Sequence, residues 1–256
     1  MIGTTEATPA VIAPGRKLGK LPPKFDARTL RLASYIEKRK LPRVPKAHNL
    51  SRKTLKAFPD LGMMNNDRLG CCTIAGLAHA EQTWSAYGGK PRRPTDAQIV
   101  EAYDRINGGE DSGAFMIDAL KMARSVGVGG NPIYGFVSVH PYDHDQVRTA
   151  LFLFGGLYVG AGLPYSAQAS KVWDVGDGPA FNPGSWGGQT FNVVDFDAKG
   201  LTIVTWGELQ RMTWAFWDRY VDECFAVLEQ DYVGDDNRSP QGFSLSKLAA
   251  DLKGLS

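Results

Sequence analysis

Apolar positions recur at helical spacing three times in the first half of the chain. After Thr73, the residues Leu77, Ala80, Trp84 and Tyr87 fall on one helix face, and Gly88-Gly89 ends the run. Thr95 reads as the N-cap of a second helix over 94–107, with Ile99, Val100, Ala102, Tyr103 and Ile106 as its apolar positions. A third, 113–126, carries Phe115, Met116, Ala119, Leu120, Met122 and Ala123 and stops at Gly127-Val128-Gly129-Gly130. The pattern then changes period. Runs rich in β-branched and aromatic residues at 136–139, 157–161, 190–196, 201–206 and 225–228 predict strands, and 197–200 suits a hairpin. One short helix, 144–154, begins near Asp143 among them. Helices first and an antiparallel sheet afterwards predict an α+β fold.

The two ends are patterned differently. Residues 1–43 contain Pro9, Pro14, Pro22, Pro23 and Pro42, with a weak apolar pattern only over 29–40 (Leu30, Leu32, Ala33, Ile36). This predicts an extended arm lying along a surface, its own or a partner's, or a solvated tail. Residues 231–256 read as a polar linker followed by an amphipathic helix, with Ser244 as cap and Leu245, Leu248, Ala249 and Leu252 on one face. That face suits the body of the chain or a neighbouring subunit in a homo-oligomer. The expected division is an arm over 1–43, a helical lobe over 44–135, a β lobe over 136–230 and the terminal segment 231–256.

Charge follows the same division. Residues 1–56 carry 14 Lys and Arg against 3 Asp and Glu; the rest carry 15 against 24. A basic arm meets an acidic body. The arm has few aromatic residues (Phe25, Tyr35) and no recognition module, so protein contacts suit it better than nucleic acid.

With 256 residues, 43% of them hydrophobic, the chain can bury a substantial core. Three cysteines are too few for a disulfide framework at this length, and a reducing compartment is the simpler expectation. The first residues lack a charged stretch followed by an apolar one, so no signal peptide is expected, and no run of 18 apolar residues predicts a membrane span. Cysteines and histidines lack zinc spacing, and the glycine run at 127–130 follows a helix rather than a strand, which is the wrong context for a phosphate loop. No metal and no cofactor are expected.

The stretch with chemistry is Asn66-Asp67-Arg68-Leu69-Gly70-Cys71-Cys72-Thr73-Ile74-Ala75. It reads as a polar turn ending in a cysteine at the mouth of a helix, where the macrodipole and free backbone N–H groups favour thiolate. Two readings of Cys72 stand side by side: a reactive thiol, or the small packing residue that most free cysteines are. Asn66 reads as a turn residue.

Residues 44–230 resemble the papain-like cysteine peptidase family. Asn66 stands six before Cys72, where the family has an oxyanion-hole glutamine; Gly70 stands two before, and Cys72 opens the helix as the nucleophile does. Asp111-Ser112-Gly113 resembles the family's glycine turn. His140-Pro141-Tyr142-Asp143 and the helix after it resemble the crossing into the barrel lobe. Gly187-Gly188 with Val193-Val194 resembles the histidine strand, and Thr205-Trp206-Gly207 a cleft motif. The resemblance implies a two-lobed fold, a helical lobe against a β-barrel-like lobe. With the basic arm, it is most similar to papain-fold proteins of bacteriophage and prophage genomes.

The site departs from that pattern. The resemblance puts the base at Gln189 and the residue orienting it at Val204, where the family has histidine and asparagine; Asp195 stands where the family has glycine. A carboxamide hydrogen-bonds but cannot shuttle a proton near neutrality. His79, two helical turns past Cys72, is about 10 Å away by helix rise, and His48, His140 and His144 are placed away from the cleft. Three changes together read as drift under relaxed constraint, while a laboratory substitution at 189 would not account for the other two.

The expected function is therefore a catalytically inactive papain-fold protein, a structural or interaction module such as a virion component at a capsid surface or tail. It would dock protein partners through the arm (Arg16, Lys17, Lys20, Lys24) and the C-terminal helix, and would reside in the virion or, outside a phage, in the bacterial cytoplasm. The alternative is an active peptidase or amidase with Cys72 as nucleophile and a non-standard base. A third reading keeps the cleft, with Gly70 and Trp206, as a peptide- or glycan-binding groove without chemistry.

Overall fold

The computed structural model describes residues 15–36, 42–229, 232, 238 and 244–254. Its centre is α2 (Cys72–Gly88), in which every residue from Cys72 to Ala86 is buried. A helix buried all round needs neighbours on every side. On one side these are α3 (Asp96–Asn107) and α4 (Met116–Ser125); on another, the short α1 (Ser51–Ala57). Thr95 caps α3 in a capping box with Gln98, as its spacing predicts. The far side of α2 faces the sheet. Tyr158 Oη donates to Thr73 O at 2.8 Å, Trp84 Nε1 to Phe154 O at 3.2 Å, and Asn192 Nδ2 to Thr83 Oγ1 at 3.4 Å.

Eight strands make the sheet: β1 (His48–Asn49), β2 (Gly135–Ser138), β3 (Leu157–Leu163), β4 (Val172–Trp173), β5 (Gly187–Phe196), β6 (Gly200–Thr205), β7 (Glu208–Thr213) and β8 (Val221–Leu228). Their order is β2-β8-β3-β5-β6-β7-β4, with β1 paired to β5 off this path. All pairings are antiparallel but one, the two-residue β4–β7 pair, which is parallel and departs from the expected antiparallel sheet. Asp197 makes the β5–β6 turn by accepting the backbone N–H groups of Lys199 and Gly200. α5 (His144–Phe154) is capped by Asp143, and α6 (Trp214–Tyr220) joins β7 to β8. Two apolar clusters result. One, around Trp173, Phe191, Phe196 and Trp217, fills the β lobe; the other, around Ile74, Trp84, Ile99 and Leu120, fills the helical lobe. This is the expected mixed α+β, two-lobed architecture.

Both ends lie on this body where they are described. α7 (Ser246–Lys253) buries Leu248, Ala249 and Leu252, with Arg124 donating to Leu252 O at 2.7 Å and Tyr134 Oη to Ala249 O at 3.0 Å. Its N-cap is Leu245 rather than the expected Ser244, whose hydroxyl is 3.5 Å from the Ser246 amide nitrogen. Within 29–40, where the apolar pattern is weak, the described residues form a single 3-10 turn, Leu32–Ser34; Leu32 is buried and Ser138 N–H donates to Leu30 O. Residues 37–41 lie outside the described residues, as does most of the linker over 231–243.

Candidate functional site

The loop before Cys72 is pinned to the helical lobe by one carboxylate. Asp111 Oδ1 accepts Gly70 N–H at 2.8 Å and Tyr103 Oη–H at 3.0 Å, and Tyr103 Oη accepts Gly113 N–H at 2.9 Å. Met64 and Asn65 turn the chain with φ of 55° and 60°, the latter anchored by Asn65 Nδ2 to Asp96 O. Cys72 thereby becomes the first residue of α2. Across from it runs β5, whose Gln189 pairs with Ala161 of β3. Trp206, in the turn after β6, has φ of 48°, an uncommon conformation for an aromatic residue that the packing around it must hold.

Gln189 and Asn66, far apart in sequence, meet here. Gln189 Nε2 donates to Asn66 Oδ1 and to Thr205 Oγ1, both at 3.0 Å. Gln189 is fully buried, and its Oε1 has no hydrogen-bond partner. Val204, the expected orienting position, supplies an apolar side chain to the β-lobe core; the partner of residue 189 is Thr205, which sequence reasoning missed. Asn66 is more than a turn residue. Its Nδ2 donates to Leu69 O and to Lys17 O, each at 3.1 Å.

Lys17 belongs to the arm, and the arm fills the cleft. Lys17 O also accepts Trp206 Nε1–H at 3.1 Å, while Lys17 N–H donates to Asn66 O at 2.8 Å. The N–H groups of Gly19 and Lys20 both donate to Gly188 O, at 3.1 and 3.0 Å. On the opposite wall, Leu21 N–H donates to Ala114 O and Ala114 N–H to Gly19 O. The approach is so close that a Cβ at Gly19 would lie 1.7 Å from Gly70 O, and one at Gly188 would lie 2.1 Å from Lys20 O. Arg16 ion-pairs with Glu208 and lies over the Trp206 ring, whose other neighbour is Trp186. Gly70 and Trp206 thus flank residues 16–21, which run between the two walls.

Burial decides the state of the thiol. Cys72 is fully buried, which pushes its pKa up; the neighbouring Thr190 and Gly19 and the positive charge of Lys20 oppose this without reversing it. The thiolate expected from the helix mouth is overridden by desolvation, and the packing reading of Cys72 is the one its surroundings favour. Cys71, whose Sγ lies 3.4 Å from Met64 O, is pushed up to about 12 by burial, and buried Cys224 also rises.

The histidines are engaged elsewhere. His79 is buried with its Nε2 2.9 Å from Gly62 O, and burial lowers its pKa to about 4. His48 packs against Phe152 and Phe196, His140 against Tyr142, and His144 Nε2 lies 2.6 Å from Asp218 Oδ1. Among the described residues, no group of three or more His, Cys, Asp or Glu could hold a metal ion. The arrangement offers a neutral thiol, an amide donor already used by a main-chain carbonyl, and a carboxamide where a proton acceptor would be needed.

Asp195 has a structural role. Its Oδ1 accepts the N–H groups of Leu50 and Ser51 at 2.7 and 2.9 Å, and its Oδ2 accepts Ser51 Oγ–H at 2.7 Å. The carboxylate thus anchors the start of α1, a position that suits negative charge. The strand register shifts between Val193 and Asp195 to present it.

No protein-family model and no curated protein sequence matches the chain. Solved structures do. Xylellain, a cysteine protease from Xylella fastidiosa, superposes with a TM-score of 0.66 at 16% identity, over 84% of this chain and 97% of that one. Procathepsin B S9 from Trypanosoma congolense gives 0.61 at 12% identity, over 85% and 88%. The proform of the ragweed cysteine protease Amb a 11 gives 0.56 at 15%, over 74% and 66%. With helical lobe, β lobe and the Cys72-led helix between them, the chain has the fold of the papain-like cysteine peptidases.

Proposed function

We propose that this is a papain-fold protein without hydrolytic turnover, working as a structural or interaction module whose cleft is closed by its own N-terminal arm. The observation that carries the reading is the contact set of Gln189. Its Nε2 is committed to Asn66 and Thr205, and neither rotamer of a carboxamide can take a proton from Cys72 near neutral pH. The burial of Cys72 and the occupation of Asn66 Nδ2 by Lys17 O support it from two further sides.

A nucleophile and base act as a unit, so loss of the base removes orders of magnitude in rate. The full chain incubated with a panel of fluorogenic peptides and amides is expected to release no more product than its Cys72→Ala variant. Release that disappears on Cys72→Ala would overturn the reading and establish a thiol hydrolase with an unrecognised base.

The narrower reading is a component of a bacteriophage particle that binds protein partners, and it rests on the resemblance and the basic arm. Of the arm's assigned basic residues, Arg16, Lys20 and Lys24 ion-pair with Glu208, with Asp222 and Glu223, and with Asp118 of the same chain, and Lys17 is exposed. The partner surface is then the outer face of the seated arm rather than a free tail. Antibody against the full chain should label purified particles; particles without the protein would remove this narrower reading and leave the first intact.

A further inference from the structure

A second recess shares no residue with the site around Cys72. Residues 26–30, the end of α4, β2 and α7 meet there around a half-open cavity of about 420 Å³. Small-molecule sites fall in a range of about 300–1,000 Å³. One side of the cavity is apolar: Phe136 and Leu252 are buried, and Leu30 is partly buried beside them. α7 comes close enough to close it because residue 135 is glycine; a Cβ there would lie 2.7 Å from Leu252 Cδ1.

The other side is charged and out of balance. Asp26 Oδ2 lies 2.8 Å from Arg28 Nη2 and 2.7 Å from Lys121 Nζ, and these hydrogen bonds hold its carboxyl well below the usual range, so it stays ionised. One carboxylate thus faces two cations. Arg124, one turn past Lys121 on α4, adds a third at the cavity wall. Its Nη2 donates to Leu252 O at 2.7 Å, and among the described residues no carboxylate pairs with it. The acidic residues of α4 and α7 are committed elsewhere, Asp118 to Lys24 and Asp251 to Tyr35 Oη. A half-buried guanidinium with unused donors beside an apolar surface matches one chemistry. Its planar fork suits a carboxylate, and the apolar surface suits the body that carries it.

We propose that this cavity binds a small amphiphilic carboxylate, its apolar body against Phe136 and Leu252 and its anionic end held by Arg124 and Lys121. The carboxylate belongs either to a free fatty or aryl acid or to the end of a peptide whose last side chain is apolar. None of these residues touches Cys72, so occupancy is independent of the thiol.

Calorimetric titration of the full chain with decanoate tests this, with decyltrimethylammonium as a probe of equal tail and opposite charge. One saturable site for decanoate is expected, at least tenfold tighter than for the cation. Arg124→Gln should weaken decanoate at least tenfold, the effect of losing a charge-assisted pair. Ser125→Trp, an exposed substitution at the cavity wall, should fill the space and abolish binding. Comparable affinities for the two probes, unchanged decanoate affinity in either folded variant, or no saturable binding to the unmodified chain would each overturn the proposal. Should Arg124→Gln fail to fold by circular dichroism, Lys121→Gln at an exposed position takes its place: at least threefold weaker binding is expected, and no change would refute the anionic end. The tripeptide acetyl-Ala-Ala-Phe, with a free or an amidated C-terminus, separates the two sources. Binding of the free-ended form alone supports a peptide end, binding of decanoate but of neither peptide supports a free acid, and equal binding of both peptides would contradict recognition of a carboxylate.

Discussion

Asp195 and Gln189 lie six residues apart on β5, and both stand where the papain-like pattern has something else. At Asp195 both oxygens are engaged: two buried backbone N–H groups and a hydroxyl converge on the carboxylate and start α1. At Gln189 the amide nitrogen has two partners while the oxygen, equally buried, has none. The first departure has become a structural device. The second leaves a residue that fits its hole and performs no proton transfer. Departure from a pattern therefore carries no single meaning; the count of satisfied partners separates replacement from loss.

The largest effect should come from breaking the satisfied end. Asp195→Ala strands two buried donors and removes charge-assisted bonds, and should cost about 4 kcal/mol in urea denaturation. A loss under about 1 kcal/mol would place the anchoring of α1 elsewhere. The contrast is cleanest above pH 6.5, because His79 adds an acid-sensitive background. Its folded pKa, about 4, lies below the unfolded value, so the unfolded chain binds more protons between the two. Its contribution is complete above about pH 6.5 and is lost as pH falls toward 4, roughly 3 kcal/mol in all. A His79→Gln variant should flatten that limb of a stability-versus-pH curve.

Replacing the half-satisfied end is expected to matter less. Gln189→Leu keeps the volume and removes the orphaned oxygen, which offsets the two lost donor bonds, for a net cost of about 1 kcal/mol. A loss as large as that of Asp195→Ala would erase the contrast between the two ends. Smallest is the cleft's outer rim. Arg16→Ala removes an exposed ion pair with Glu208 and the contact over Trp206, and should shift stability by less than about 1 kcal/mol.

These contrasts also show what the chain discloses before it is folded. Periodicity located α2 to α5 and the longer strands, because each buries a stripe or a face, and Thr95 and Asp143 mark their helix starts by chemistry that acts locally. β7 escaped notice because it is a strand with one buried residue, Met212, and with Glu208, Gln210 and Arg211 in its run. The aromatic-rich α6 carries no helix-favouring pattern until Trp214 and Trp217 find carbonyl partners at Asp197 and Pro141. Spacing singled out Gln189, Asn66 and Cys72, and Gln189 and Asn66 are hydrogen-bonded to each other. Their other contacts were not legible. The arm is held by main-chain bonds and by glycines at 19, 70 and 188 whose missing side chains leave no apolar signature. Thr205 stood out only as part of the motif with Trp206; that its hydroxyl receives the Gln189 amide is a contact made by folding.

The central claim, that Cys72 is a neutral thiol without a base, is tested most directly by its alkylation rate against pH in the unmodified full chain, resolved from Cys71 and Cys224 by peptide mapping. The account predicts slow labelling that rises only at pH higher than an ordinary exposed thiol needs, because burial pushes the Cys72 thiol up. Rapid labelling of Cys72 with a plateau at about pH 6–7 would show an activated thiolate and contradict it.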